Sequence, residues 1–223
     1  VDDRYYANFN DCSPTAGRAG AREYLFAKRV GNEDMMRFAA LDHSRDDGYL
    51  NPRTENLFYR LQAAFTEKEL CQVDLSKSIE KRDLYYDSVG LLIARDSRYF
   101  LGVKAGCNGD SHNHNDVGSV TVYRDGKPML IDVGVETYSR KTFSPQRYEI
   151  WTMQSHYHNV VNFGDVQQLP GEQYRAEVRE VVLEEKRAGI TMELSHAYPD
   201  GTVGSYLRRV DFEKESAITI TDT

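Results

Sequence analysis

The sequence predicts a mainly β protein, in which a stacked antiparallel β-sandwich follows a few α-helices. Apolar residues recur at helical spacing only in the first third of the chain, and from about residue 85 they alternate with polar residues, as in strands. Nine or so such runs in about 140 residues would make a single open sheet curl or split, so sheets packed face to face are expected. The 223 residues, 40% of them hydrophobic, suffice for one principal core.

Three helices are predicted before the strands begin. The first covers residues 14–30, and Gly31 is placed to end it. Asn32 can cap a second helix that runs to Leu41, and Thr54 can cap a third. Short amphipathic helices cannot bury their apolar faces alone. These three therefore either pack on the strands later in the chain or form the end of a larger helical domain.

Two β-hairpins are predicted next. Runs 89–94 and 99–104 flank a polar turn, and runs 119–124 and 128–133 flank Asp125-Gly126, a strong hairpin signal. The last alternating run ends with the chain, and the first residue is not Met, so a fragment of a longer protein is expected. Five further alternating runs complete the predicted antiparallel structure: 158–163, 176–183, 190–196, 204–212 and 217–221.

Charge and composition exclude several classes of protein. The net charge of −7 argues against non-specific nucleic-acid binding. No stretch reaches the roughly 18 consecutive apolar residues of a membrane-spanning helix. Three cysteines, at 12, 71 and 107, are too few and too far apart for a disulfide framework or a CxxC zinc knuckle. Neither a nucleic-acid partner nor a membrane is expected, and the sequence does not give the oligomeric state.

Four of the six histidines lie in two short clusters, and this is the most informative feature of the sequence. In an extended segment alternate residues point to one side, so His112 and His114 can converge, as can His156 and His158. Asp132 ends an apolar run, where an unpaired charge would be costly to bury. A Zn²⁺ ion held by two imidazoles and one carboxylate would compensate that charge. Hydrogen-bonded structural histidines are the alternative, and spacing alone does not choose the metal.

Several motifs occur in an order and spacing that are specific when taken together. They are Ser111–Gly118, the hairpin Tyr123–Pro128 leading to Ile131–Gly134, Arg147–Glu149 and Gln154–Asn159. In this combination they resemble the heparinase II/III family of polysaccharide lyases, which are relatives of the oligoalginate lyases. The segment Tyr5–Asp11 is similar to the one that leaves the helical toroid of that family. The resemblance covers most of the chain through about residue 168.

The resemblance implies a fold, a metal site and a location. Residues 1–84 would be the end of an (α/α) toroid and a linker, and residues 85–223 an antiparallel β-sandwich truncated at its C-terminus. The matching motif positions imply a structural zinc ion on His114, Asp132 and His158. Family resemblance alone implies a bacterial protein that is periplasmic or secreted.

The resemblance also implies β-elimination from an acidic polysaccharide or oligosaccharide that contains uronic acid. Such a reaction needs a base, an acid and groups that neutralise the substrate carboxylate. His112 would lie in the cleft and act in catalysis, with Tyr148 and Tyr138 as candidates for proton transfer. Asn113 and Arg147 are candidates for substrate binding. Other catalytic groups of relatives lie on the toroid, so this chain alone is expected to be inactive, and the uronate polymer stays undetermined.

Two alternatives belong to other classes. A cupin-like metalloenzyme would share the spacing of Gly106 and His112-Asn113-His114, but the Glu expected about four residues later is replaced by Val117, Gly118 and Ser119. A non-catalytic sugar-binding or structural β-sandwich would use the histidines only to hold a metal. Substitution of His112 separates a lyase from such a module, because the module has no turnover to lose.

Overall fold

The computed structural model describes residues 1, 4–15, 20–45 and 56–223. These residues form two compact units, one within residues 16–81 and one built from residues 1–15 together with 82–223. None of the described helices has the length and apolar character needed to cross a membrane.

The first unit contains three described helices, whose ends follow local capping signals. Gly31, at φ 71°, ends the first helix as predicted, and Asn32 caps the second by accepting a hydrogen bond from Met35 N at 2.9 Å. The third helix is capped by Asn56, whereas the predicted cap Thr54 lies outside the described residues. The helices are α1 (Ala21–Val30), α2 (Glu33–His43) and α3 (Leu57–Leu70).

The predicted start of the first helix at residue 14 is wrong. Helix α1 begins at Ala21, because Pro14 and Thr15 pair with Tyr6 and Tyr5 in an antiparallel bridge instead.

The second unit contains eleven described strands in three antiparallel sheets, which confirms the predicted mainly β fold. One sheet has the order β1-β2-β3-β5-β6, another β11-β10-β9-β8, and β4 pairs with β7. The strands are β1 (Leu84–Tyr86), β2 (Leu91–Arg95), β3 (Tyr99–Lys104), β4 (Cys107–Asn108), β5 (Val120–Arg124), β6 (Lys127–Leu130), β7 (Gly171–Arg175), β8 (Glu177–Leu183), β9 (Arg187–Glu193), β10 (Leu207–Glu213) and β11 (Ala217–Asp222).

The main core lies between the five-stranded and the four-stranded sheet. Alternate residues of β2 and β3, such as Leu92 and Leu101, are fully buried in the same cluster as Met192 of β9 and Phe212 of β10. This alternation buries the inner face of each sheet, as the period of two predicted, and produces a β-sandwich. The other face of the five-stranded sheet is also buried in part, because Phe100 and its neighbours on that face form a second cluster with the N-terminal segment.

Both predicted hairpins form, and one predicted strand does not. β2 pairs with β3, and β5 pairs with β6 across Asp125 and Gly126, whose φ angles of 51° and 70° suit a tight hairpin turn. The prediction of a strand over 158–163 is wrong, because that segment follows a 3₁₀ turn and forms no strand. Its polar side chains make hydrogen bonds to other segments instead of lying along a strand; the Asn159 amide, for example, donates to Val120 O at 3.0 Å.

Two long connections meet beside the sandwich and carry the motif residues. One joins β4 to β5, and the other joins β6 to β7 through short 3₁₀ turns. Asn115 of the first connection fastens them together, since its backbone N–H donates to Met153 O at 3.0 Å and its amide to Gln168 O at 3.2 Å. The candidate site lies at this junction.

Candidate active site and metal centre

Three buried side chains from separate segments meet in the second unit. His114 comes from the β4–β5 connection, Asp132 follows β6, and His158 follows the 3₁₀ turn at Ser155–Tyr157. One ligand atom from each residue lies within 4.8 Å of the other two. The closest pair is His158 Nδ1 and Asp132 Oδ2, at 3.0 Å. The structure thus brings together the three residues that were predicted to hold zinc.

Hydrogen bonds determine which ring nitrogens face a metal. His158 Nε2 lies 3.0 Å from the carbonyl oxygen of Thr152, which can only accept, so Nε2 carries a proton. Nδ1 donates to the Asp132 carboxylate at 3.0 Å, and its lone pair would face a metal once that proton leaves. His114 Nε2 lies 3.0 Å from Asp11 Oδ1, and a carboxylate likewise accepts. His114 Nδ1 is buried and has no hydrogen-bond partner among the described residues.

These groups fit a bound divalent metal. Two imidazole lone pairs and one carboxylate oxygen form a common donor set for Zn²⁺, and the hydrogen bonds on the opposite nitrogens are those that orient metal-binding histidines. Buried polar atoms without partners are rare in folded proteins, so an ion would account for His114 Nδ1. Asp116 Oδ2 is also buried and has no hydrogen-bond partner among the described residues, and it lies 3.7 Å from His158 Nδ1.

Asp132 uses one carboxylate oxygen to stabilise the turn at Gly134 and the other to face the candidate metal site. Its Oδ1 accepts a hydrogen bond from Gly134 N at 2.7 Å, and its backbone oxygen accepts from the Asn8 amide at 3.5 Å. Gly134 has a φ of 76°, a conformation that favours glycine. Oδ2 is therefore left to face His158.

The buried charges are balanced within the cluster. Burial lowers the pKa of His114, which favours the neutral imidazole that binds metals. Burial alone would lower the pKa of His158, but its hydrogen bond to Asp132 and the charge of Asp116 outweigh burial and raise it. Burial would raise the pKa of Asp116, but the adjacent Lys104 ammonium and His158 outweigh it and lower that pKa.

His112 and Tyr138, two of the predicted catalytic residues, lie together outside the metal cluster. His112 Nδ1 lies 3.2 Å from the Tyr138 hydroxyl, and the two rings stack with their centroids 6.2 Å apart. The side chain of His112 is 55% exposed, so it is open to a ligand. Burial and the hydrogen bond to Asp11 raise the pKa of Tyr138.

The other predicted site residues contact each other within the protein. Asn113 is buried; its Oδ1 accepts from Lys104 Nζ at 3.2 Å and its Nδ2 donates to the Tyr148 hydroxyl at 3.3 Å. Arg147 donates to Asn113 O through Nε at 3.1 Å and through Nη2 at 3.0 Å, and to Thr142 O at 3.3 Å. These contacts fasten the two connections together, and direct substrate contact by Asn113 and Arg147 stays a prediction.

Sequence reasoning missed Asp11 and misplaced His156. Asp11 contacts both His112 and His114 at 3.0 Å, so these two histidines meet through a carboxylate rather than along a strand. The only sequence signal for Asp11 was its place at the end of the Tyr5–Asp11 motif. The expected convergence of His156 with His158 is wrong, because residues 155–157 form a 3₁₀ turn and His156 is not in the metal cluster.

Comparison with known proteins agrees with the fold and the motifs. Residues 80–223 match the sequence profile of the family described as heparinase II/III-like, C-terminal. The chain belongs to the heparinase II/III-like family. No curated protein matches the sequence of this heparinase II/III-like chain significantly.

Two solved structures share the fold of this heparinase II/III-like chain. A heparinase III with methylated lysines has 18% identity and a TM-score of 0.58, with 99% of this chain and 30% of that chain covered. The heparan sulfate lyase HepC from Pedobacter heparinus has 15% identity and a TM-score of 0.56, with 99% of this chain and 29% of that chain covered. At such identities the likeness shows the fold alone. The chain thus spans about 30% of the length of these structures.

Proposed function

We propose that this chain is part of a polysaccharide lyase that cleaves a uronic-acid-containing glycan by β-elimination. The observation that carries the proposal is the exposed pair His112 and Tyr138, held on one carboxylate beside a buried metal cluster. Membership of the heparinase II/III-like family supports it, and two proteins of similar fold are named as a heparinase and a heparan sulfate lyase.

His112 and Tyr138 are suited to the proton transfers of an elimination. A base removes the proton from C5 of the uronate, and an acid protonates the oxygen of the departing sugar. His112 in its neutral form presents one ring nitrogen with a lone pair, and a phenol hydroxyl lies 3.2 Å from the other nitrogen. Groups positioned in this way contribute about 10²- to 10⁴-fold each to the rate. Tyr148 is a second phenol, hydrogen-bonded to Asn113.

We assign neutralisation of the substrate carboxylate to Arg147, which is held in place by hydrogen bonds to Asn113 O. Four hydrogen bonds of Arg147 go to Asn113 O, Thr142 O and Asp11, which leaves one of the five N–H groups of a guanidinium outside them. The side chain is 12% exposed, and a substrate carboxylate that reached this donor would complete its hydrogen bonds. Asn113 is buried and supports this loop through its carbonyl oxygen.

A zinc ion on His114, Asp132 and His158 would cross-link three segments of the site when bound. Residues near the ligands would be held in place as a result. His112 lies two residues before His114, and Asn159 follows His158 and donates to Ile131 O at 2.8 Å. Bracing of the loops is therefore the role we assign to the metal.

The substrate and the cellular location are proposed only as broad classes. The chemistry requires an acidic polysaccharide or oligosaccharide whose uronate has a proton next to its carboxylate, and it does not distinguish heparan sulfate from alginate or another uronate polymer. A periplasmic or secreted location in a bacterium is a prediction that rests on family resemblance alone.

The deciding experiment screens the full-length protein on several uronate polymers and follows the ultraviolet absorbance of the unsaturated product. His112→Gln is expected to lower kcat by about 10²- to 10⁴-fold. Because the ring is 55% exposed and the Gln amide can still donate to Asp11, the Tm of this variant should fall by only a few degrees. His196→Gln is the matched control, since His196 is exposed in a different part of the chain. A protein that binds the polymers equally well with and without the His112 imidazole, and forms no unsaturated product, would be a sugar-binding module instead.

A further inference from the structure

Asp11 joins the candidate catalytic pair to the candidate metal centre. Its Oδ2 lies 3.0 Å from His112 Nδ1 and 2.9 Å from the Tyr138 hydroxyl. Its Oδ1 lies 3.0 Å from His114 Nε2 and 2.7 Å from Arg147 Nη2. The side chain of Asp11 is only 3% exposed. One buried carboxylate therefore contacts both histidines of the β4–β5 connection.

The preceding residue places Asp11 at this point. Asn10 has a φ of 57°, a left-handed conformation that asparagine tolerates better than most residues. Its Oδ1 accepts from Lys104 Nζ at 2.7 Å and lies 3.5 Å from His114 N. These two contacts attach the turn to β3 and to the loop that carries His114, and they hold Asp11 in position.

These contacts fix the proton on one nitrogen of each histidine. Arg147 carries a permanent charge and keeps Asp11 as a carboxylate, which can only accept hydrogen bonds. The proton of neutral His112 therefore lies on Nδ1, and that of His114 on Nε2. The remaining lone pairs are those needed for function: Nε2 of the exposed His112, which has no partner among the described residues, and Nδ1 of the buried His114.

We propose that Asp11 is a positioning residue that holds His112 and His114 in these two tautomers at once and so couples metal binding to the reactivity of His112. The activity part of this inference rests on the proposed lyase function. The tautomers and the metal affinity do not depend on it.

Asp11→Asn is the informative variant, because it keeps the size of the side chain and replaces one acceptor oxygen by a donor. Arg147 and His114 both donate toward the Oδ1 position, so the amide oxygen is expected there and the NH₂ group at the Oδ2 position. The NH₂ group then faces His112, which has to move its proton to Nε2 and loses the exposed lone pair.

Three readouts test the inference on Asp11→Asn. In the full-length protein kcat should fall by about 100-fold or more while KM changes by less than about threefold. In this chain the zinc Kd should rise by about 10-fold, because the neutral amide oxygen is a weaker acceptor for His114 Nε2 than the carboxylate that it replaces. The ¹⁵N shifts of the imidazoles should show the proton of His112 on Nε2 instead of Nδ1. Asp125→Asn makes the same chemical change in an exposed hairpin turn and should alter none of the three.

The wild-type chain provides a test that needs no variant. Its ¹⁵N shifts should show Nδ1–H for neutral His112 and Nε2–H for His114, and the opposite tautomer at His112 would overturn the inference. A folded Asp11→Asn chain with unchanged zinc affinity and unchanged tautomers would also overturn it. If the full-length wild-type protein cleaves no uronate polymer, the lyase proposal fails, and the zinc and ¹⁵N measurements still decide the role of Asp11.

Discussion

Removal of divalent metal should destabilise the second unit, and the size of the effect follows from the buried triad. Without an ion, His114 Nδ1 is buried and has no hydrogen-bond partner among the described residues, and an unsatisfied buried group of this kind costs about 1–3 kcal/mol. Zinc at about 100 times its Kd would stabilise the folded state by about 2.7 kcal/mol. In a protein of this size, each kcal/mol of added stability raises Tm by about 2–4 °C, so zinc should raise Tm by about 5–10 °C.

The assay compares melting of the chelated chain with and without added zinc, and repeats the comparison for His158→Ala. The variant loses a ligand together with hydrogen bonds to Asp132 and Thr152 O, so its Tm without metal should also fall. The informative quantity is the rise in Tm that zinc causes, which should nearly vanish in the variant. His196→Ala, at an exposed histidine, should keep the full rise.

Two results would refute this reasoning. An equal zinc-dependent rise in His158→Ala and wild type would show that zinc binds elsewhere. In the full-length protein, chelation that abolishes activity but leaves Tm unchanged would contradict a bracing role and point to a metal that acts on the substrate.

Two further predictions concern the sandwich itself. Gly189→Ala should lower the free energy of unfolding by about 1–3 kcal/mol in denaturant titrations, because the added Cβ would lie 2.5 Å from the backbone oxygen of Val210, whereas Gly204→Ala, with nothing within 4 Å, should cost far less. Burial opposes ionisation of Glu193, but hydrogen bonds from the backbone N–H groups of Tyr206 and Ser195 and from nearby hydroxyls outweigh it and lower its pKa from 4.5 to about 2. Its contribution to stability is therefore present above about pH 4.5 and lost as the pH falls toward about 2, so acid titration of Glu193→Gln should show a shallower loss of stability than wild type. An equally shallow loss in Glu185→Gln, a change at an exposed carboxylate, would contradict this assignment.

The sandwich could be predicted because its strands alternate for a physical reason that acts locally. Residues such as Leu92 and Leu101 face the core, and their neighbours along the strand face the other side of the sheet. Asp125 and Gly126 adopt positive φ angles, which the short Asp side chain tolerates and which glycine reaches without a Cβ, so that turn also follows from local preference. Run 158–163 shows the limit of this reasoning, because its alternation looks like a strand while its polar side chains are used for contacts between connections.

The metal cluster could be predicted only as a set of residue types. Clustering indicated which histidines to consider, and family resemblance indicated His114, Asp132 and His158. Neither could indicate which nitrogen faces a metal, because the tautomer of His158 depends on Thr152 O and that of His114 on Asp11. Segments of irregular backbone have no repeating period, so no pattern in them predicts the direction of a side chain.

Asp11 shows why a residue that contacts both the catalytic pair and the candidate metal ligands was hard to find from the sequence. It lies 101 residues before His112 in the sequence, and 136 before Arg147. A carboxylate in a polar motif is ordinarily solvated, and only the folded structure shows that four donors surround this one. Burying such a charge is costly unless those donors are in place, so the Asp11 segment and the two connections have to assemble together. Mutational loss at any one of these donors should therefore affect the other contacts of the same carboxylate, and double-mutant cycles between Arg147 and Tyr138 should reveal coupling although the two do not contact each other through a hydrogen bond.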